Sequence, residues 1–261
     1  MNPLCKKIRA EILKIATKSG HGHVPSCFSV VEILCAIYET IKHDPKNPKW
    51  EGRDIFILSK GHASLALYCV LANFGYFEIE KVYSFGGFMS DFGCHPDRTQ
   101  APGVEVSTGS LGHGIGLAVG IALGLRLKKH TSRRVYVVIG DGESNEGSVW
   151  EAVMVATNLK LDNLTVIYDN NLSHGRGLQI PNPAERFKAF GCDVAEVNGH
   201  DTEELKKEII KTSHKVRAII AHTQKGYGCR TFCLDHYEWH RKSPNAEECE
   251  ILMDELDEEA I

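Results

Sequence analysis

Two short motifs carry the densest chemistry in this chain: Gly140-Asp141-Gly142, which follows the apolar run Val135–Ile139, and Asn170-Asn171, which follows Leu164–Tyr168. As strands of one right-handed strand–helix–strand unit, the two runs lie parallel, and both motifs reach the same rim of the sheet. Asp141 then offers a carboxylate and Asn171 an amide oxygen, hard ligands that suit Mg²⁺. Magnesium seldom takes all six oxygens from protein, so phosphate and water would complete the shell. Gly140 and Gly142 let a phosphate approach the backbone where the next helix begins. Gly-Asp-Gly alone is a commonplace turn. The asparagine pair one crossover later makes the combination specific.

Thirteen histidines supply groups that titrate near neutrality and can relay protons. His21, His130, His200 and His214 stand in no motif and read as surface or structural residues. The nine cysteines form no Cys-x-x-Cys pair. Cys229 and Cys233, the closest two, lack zinc-type neighbours. They read as reduced thiols of an intracellular, cytoplasmic protein.

The elements that must position these groups follow from hydrophobic patterning. Helical periodicity marks Leu4–Thr17, Val30–Ile41 and Ala63–Asn73. Short apolar runs mark strands at Ile55–Leu58, Val135–Ile139, Leu164–Tyr168, Val194–Val197 and Val216–Ala221. Helix-length segments, Glu146–Lys160 and Thr202–Lys211, lie between strands. Continuous runs such as VYVVI suit strands buried on both faces. The fold class is therefore α/β, a parallel sheet flanked by helices, in a single domain over 1–261. The acidic tail Glu247–Glu259 reads as a solvated helix or a frayed end.

Composition excludes several functions. Hydrophobic residues make up 43% and charged residues 25% of the 261, which is globular rather than disordered. Thirty basic against 34 acidic residues, a net charge of −4, give no general case for nucleic acid or a membrane surface. The most apolar stretch, Leu111–Leu127, contains His113 and Arg126 and falls short of a bilayer span. Met1–Lys18 lacks the pattern of a signal peptide. Gly112, Gly116, Gly120 and Gly124 recur every four residues, so they share one helix face. Such a stripe either packs against the protein's own sheet or meets another subunit.

The segments LSKGHASLALY, PGVEVSTGSLGHGIGLAVG, GDGESNEGSVWEA and KLDNLTVIYDNN closely resemble the thiamine diphosphate-binding domain of transketolases. The tail KGYG…YEWHRKSPNAEE is similar to the end of that domain in two-chain transketolases. The likeness runs from about Ile8 to Glu248, with the motifs in the family's order. It implies the N-terminal subunit of a transketolase, which is a transferase moving a two-carbon ketol unit from a ketose, expected to be phosphorylated, to an aldose. Thiamine diphosphate and Mg²⁺ would be its cofactors. A separate partner chain would carry the pyrimidine-binding domain, with two copies of each chain in the assembly. The ending resembles the natural end of a split subunit, the alternative being a fragment of a longer chain.

The resemblance also implies roles for particular residues. Asp141 and Asn171 would hold Mg²⁺, with the backbone carbonyl of Ser173 as a third ligand. Gly140 and Gly142 would line the diphosphate. His62 and His240 match histidines at the diphosphate and reaction centre, and His23 and His95 match histidines of the substrate channel. Gly109 and Leu111 would support the aminopyrimidine, and Glu146 would lie at the interface beneath the cofactor.

Departures bear on the substrate. Pro25 and Ser26 stand where the family often has glycine or other small residues, and His113 stands where glutamine is common. Asn171-Leu172-Ser173-His174 is also unusual. The alternatives are another thiamine diphosphate enzyme, of deoxyxylulose-phosphate synthase or keto-acid dehydrogenase type, or a non-catalytic scaffold. A dinucleotide oxidoreductase using Gly112, Gly114 and Gly116 lacks both a preceding strand and a well-spaced acidic residue.

Overall fold

Five parallel strands are held in the order β1-β2-β3-β5-β4: β1 Ile55–Leu58, β2 Val135–Gly140, β3 Leu164–Asn170, β4 Asp193–Asn198 and β5 Arg217–His222. These are features of a computed structural model that describes residues 1–173, 175, 178 and 180–258. The expected strands are all present, within two residues of their predicted ends. The helices are α1 Pro3–Ser19, α2 Val24–Ser29, α3 Val31–Thr40, α4 Ser64–Asn73, α5 Ile79–Val82 and α6 Gly114–Leu127. Further on come α7 Gly147–Asn158, α8 Pro183–Ala189, α9 Thr202–Ile209, α10 Arg230–Leu234 and α11 Ala246–Asp257.

Alternation along the strands divides the core into two layers. Phe56, Leu58, Tyr136, Val138 and Ile219 face the layer built by α1 to α4. Ile55, Ile57, Val137, Ile139, Val166 and Ile220 face the layer built by α6, α7 and α8. Both faces of the sheet are covered, which is why its strands read as unbroken apolar runs.

Local sequence explains most boundaries. Asn2 accepts from the backbone of Leu4 and Cys5, Pro3 opens α1, and Gly20 ends it in a left-handed conformation. The second expected helix is α3, and a separate short helix, α2, whose six residues are all buried, precedes it. The acidic tail is not frayed through residue 257: Asn245 and Glu248 form a capping box, and Leu252 and Leu256 bury themselves as α11 packs on α1. Glu259 lies outside the described residues.

The glycine stripe needs correction. Gly112 precedes α6 and holds φ +81°, where an added Cβ would lie 2.4 Å from Ser148 Oγ. It is a turn glycine. Gly116, Gly120 and Gly124 do share a face of α6, and among the described residues nothing approaches within 4 Å of an added Cβ on any of them. The stripe therefore does not pack against the protein's own sheet.

Candidate active site

The site grows from the carboxyl ends of β2 and β3. Asp141 follows Gly140 directly and opens the short 3-10 turn Gly142–Asn145. Asn171 follows β3, and Leu172 adopts φ +57°, a left-handed conformation that turns Ser173 back toward β2. The Ser173 backbone N–H donates to both Asp141 Oδ2 (2.7 Å) and Asn171 Oδ1 (3.0 Å). Two hard oxygens thus converge on one donor, a pairing whose chemistry suits a divalent cation. Among the described residues, the donor chemistry of Asp141 and Asn171 is of the kind that suits magnesium.

The amide of Asn171 is aimed by its other end. Its Nδ2 donates to Ser29 Oγ (3.0 Å) and Asp169 Oδ2 (2.9 Å), which turns Oδ1 toward Ser173. Asp169, fully buried, also accepts from Ser29 and forms an ion pair with Lys60 Nζ at 2.5 Å. A buried charge pair of this kind needs such added hydrogen bonds to offset desolvation.

Beside the metal end, a cleft of about 590 Å³ gathers the histidines. His23, His62, His95, Gly109, Leu111, Gly140, Asp141, Gly142, Ser173 and His240 all line it. His23 caps α2, His62 lies in the 3-10 turn Gly61–Ala63 after β1, and His240 ends the turn Glu238–His240. The His23 ring centroid is 5.3 Å from that of His62 and 5.4 Å from that of His240. Gly109 holds φ +152° against His95, whose Cδ2 an added Cβ would meet at 2.9 Å.

Burial favours the neutral forms of His23, His62 and His240. Burial, reinforced by His95 and Arg241, pushes His23 down to about 4. Burial and then Lys225 push His240 down to about 4, and burial holds His62 well below its usual value. Lys225 is lowered to about 8 by burial and by Lys60. Its Nζ lies 2.8 Å from His240 Nδ1. As an ammonium it donates there, leaving the proton of His240 on Nε2. Among the described residues, the buried His23 Nδ1 has no hydrogen-bond partner, so it has donor or acceptor capacity to offer to the cleft.

Asn171 and Glu146 are not among the residues that line the cleft. Asn171 stands in the wall behind the cleft rather than lining it. Glu146 is exposed as the N-cap of α7, outside the cleft lining. Among the described residues, the glutamate that does line the cleft is Glu143, almost fully buried. It accepts from Ser59 Oγ (2.5 Å), Gly112 N (2.9 Å) and Gly140 N (3.1 Å), and burial raises its pKa. Glu143 thus pins three loops of the rim together. His174 lies outside the described residues.

Sequence reasoning missed Lys60, Glu143, Lys225 and Arg241. Each is a charged residue inside a quoted motif, the one available signal, but nothing local shows which of them turns inward. His200, read as surface or structural, is structural. It accepts from Gln224 N (2.8 Å) through Nε2, so its Nδ1–H donates to Glu32 (3.0 Å), which pairs with buried Arg9. That chain steadies the loop carrying Lys225.

Fold and site together define an α/β cofactor-binding domain with a diphosphate-type rim. The family model described as transketolase, thiamine diphosphate binding domain, matches residues 2–255. The chain is 38% identical over 263 residues to one subunit of the apulose-4-phosphate transketolase of Actinobacillus succinogenes, covering 97% of this chain and 95% of that one. It is 39% identical to a 6-deoxy-6-sulfo-D-fructose transketolase subunit of a Clostridium species, covering 85% and 83%. The crystal structure of Campylobacter jejuni transketolase superposes with a TM-score of 0.89 at 32% identity. That match covers 97% of this chain but only 42% of the solved one. The chain belongs to the transketolase family, whose members are transferases, and it comprises the family's thiamine diphosphate-binding domain.

Proposed function

We propose that this chain, as one cofactor-binding unit over 1–261, is the first subunit of a two-chain transketolase moving a two-carbon ketol unit from a ketose to an aldose. The observation that carries this reading is the convergence of His23, His62 and His240 with the Asp141–Ser173 turn in one cleft. When bound, thiamine diphosphate supplies the carbanion chemistry that cleaves and forms the carbon–carbon bond. Asp141, Asn171 and the Ser173 carbonyl would hold Mg²⁺ against the diphosphate. Gly140 and Gly142 would lie along it, with Lys225 and His62 nearby. The neutral imidazoles of His23 and His240 can take or give a proton at sugar hydroxyls. His95 and Leu111 wall the cleft, and Glu143 holds the rim in shape.

The relatives that this chain matches over most of their length are named as subunits, which supports a partner here, carrying the pyrimidine-binding domain. The faces of α6 and α7 support the same reading. Gly116, Gly120 and Gly124 stand open on α6, and Leu117, Met154 and Val155 are exposed beside them. A bare glycine face admits another backbone very closely, and two copies of each chain would cover it. Glu146, exposed at the start of α7, would lie at that interface. The two relatives are named for sugars bearing a phosphate and a sulfo group, which supports an anionic sugar here.

Among the described residues, no helix is long and apolar enough to cross a membrane. All nine cysteines are free thiols, which supports a reducing compartment such as the cytoplasm. The test is to co-purify the chain with the product of an adjacent gene and to assay ketol transfer with thiamine diphosphate and Mg²⁺. Transfer is expected only from the pair. Robust transfer by this chain alone would overturn the two-subunit reading.

A further inference from the structure

A tight turn, residues 224–227, follows β5 and carries Lys225 at its second position. Tyr227 N–H closes it by donating to Gln224 O at 3.1 Å, with Gly226 in the left-handed region at φ +85°. From this turn the almost fully buried Lys225 reaches His240 Nδ1 at 2.8 Å. His200, in the loop between β4 and α9 and outside the cleft lining, grips the turn at both ends. Its Nε2 accepts from Gln224 N–H at 2.8 Å, and its ring stacks on Tyr227 with centroids 3.6 Å apart and planes 11° from parallel. Gly199 allows the approach, since an added Cβ there would collide with Thr223.

Buried charges fix the tautomer of His200. Arg9 and Glu32, both buried, pair at 2.5 and 2.7 Å, and Glu32 Oε2 accepts the Nδ1–H of His200 at 3.0 Å. With that proton on Nδ1, Nε2 keeps a lone pair for Gln224. Arg9 also lies 5.2 Å from the Tyr227 ring, so one cation supports both contacts of the turn. His240 is set the opposite way. The Lys225 ammonium donates to Nδ1, and the imidazole proton is left on Nε2. The turn therefore joins two imidazoles in series, one outside the cleft and one inside it.

We propose that His200 is a positioning residue for His240: by holding both ends of the turn it keeps Lys225 on His240 Nδ1, so that His240 offers Nε2–H to the cleft. This rests on the transketolase reading above only for its effect on turnover. The ring nitrogens report it directly, by nitrogen NMR on the full chain. The wild type should show an unprotonated, hydrogen-bonded Nδ1 on His240 and a protonated Nε2. His200→Ala should free Nδ1 from its bond. Lys225, the charge that acts most on His240 after burial, then moves away, while His23, Arg241 and Lys60 act as before. His240 should in consequence titrate about 1 pH unit higher than in the wild type. Lys225→Met should reproduce both changes, and the double variant should add nothing. His200→Gln, which keeps one donor and one acceptor, should recover part of the wild-type signature.

In the assembled enzyme, His200→Ala should lower kcat by about 10- to 100-fold, the usual cost of losing a partner that orients a working group. Combined with Lys225→Met, the loss should not grow. Tyr227→Leu removes the stack alone and should shift the same signals less. An unchanged His240 signature in a folded His200→Ala or, should that variant not fold, in Tyr227→Leu would overturn the assignment. Equal changes at His62 and His240 would overturn it too, because they mark a general loosening of the cleft. Failure of the wild-type pair to transfer a ketol unit would defeat the functional reading instead, and the nitrogen spectra would still decide the role of His200.

Discussion

Asp141 and Ser173 are joined twice across the ends of β2 and β3. The Ser173 backbone N–H donates to Asp141 Oδ2 at 2.7 Å, and its hydroxyl donates to Oδ1 at 2.6 Å. The carboxylate is thereby fixed beside Asn171 Oδ1 before any cation arrives. Preorganisation of this kind lets a hard cation bind without reordering its ligands.

Asp141→Ala and Asn171→Ala should each abolish Mg²⁺-dependent binding of thiamine diphosphate while leaving the fold intact. Titration calorimetry with and without Mg²⁺, together with far-UV dichroism, checks both halves. Undiminished cofactor affinity in both variants would sink the metal assignment.

His62→Ala and His240→Ala should each cost the two-chain enzyme about 10²–10⁴-fold in turnover, the usual loss for one positioned proton-transfer group. His21 is exposed and outside the cleft lining, so His21→Ala should cost far less. Steady-state kinetics on the three variants decide it. Equal losses would mean that the site is misplaced.

Acid should weaken the fold through the same histidines. His23 and His240 titrate near 4 in the folded chain and near 6.5 when unfolded, because burial disfavours their charged forms. Between those values the unfolded chain binds more protons, so stability is full above about pH 6.5 and declines as pH falls toward 4. Thermal melts from pH 7 to pH 4.5 should show this decline. The double variant His23→Gln/His240→Gln should flatten it.

Glu143→Gln should lower the stability of the isolated chain by about 1–3 kcal/mol, because an amide group replaces an acceptor that serves three donors. Cofactor affinity should weaken with it, since Gly140 and Gly112 lose their common anchor. Chemical denaturation and calorimetry read the two effects. A variant as stable as the wild type would remove Glu143 from the framework of the site.

Gly116→Ala and Gly120→Ala should stabilise the lone chain by up to about 1 kcal/mol each, since alanine is the better helix former and the space is open. Gly120→Leu should leave the monomer's melting temperature near that of the wild type yet block association with the partner chain. Melts and sedimentation with the partner test the pair. Destabilisation by alanine would mean that the face is packed after all.

The sequence by itself determined the parallel sheet, because strands buried on both faces must be continuous apolar runs. It also determined which motifs stand at the carboxyl rim, because a right-handed crossover leaves little choice. The histidines of the cleft were legible only through their motifs. What only the tertiary structure decided are pairings between residues far apart in the chain: Lys60 with Asp169, Arg9 with Glu32 and His200, Lys225 with His240. Glu143 and Glu146 make the point most sharply. They are three residues apart and chemically identical, yet the 3-10 turn that Asp141 opens buries the first and leaves the second in solvent at the start of α7. Periodicity fixes which side of a strand a residue faces, but a turn takes its direction from the loops packed around it. Here those loops are the segments bearing Ser59 and Gly112, and only folding brings them to Glu143.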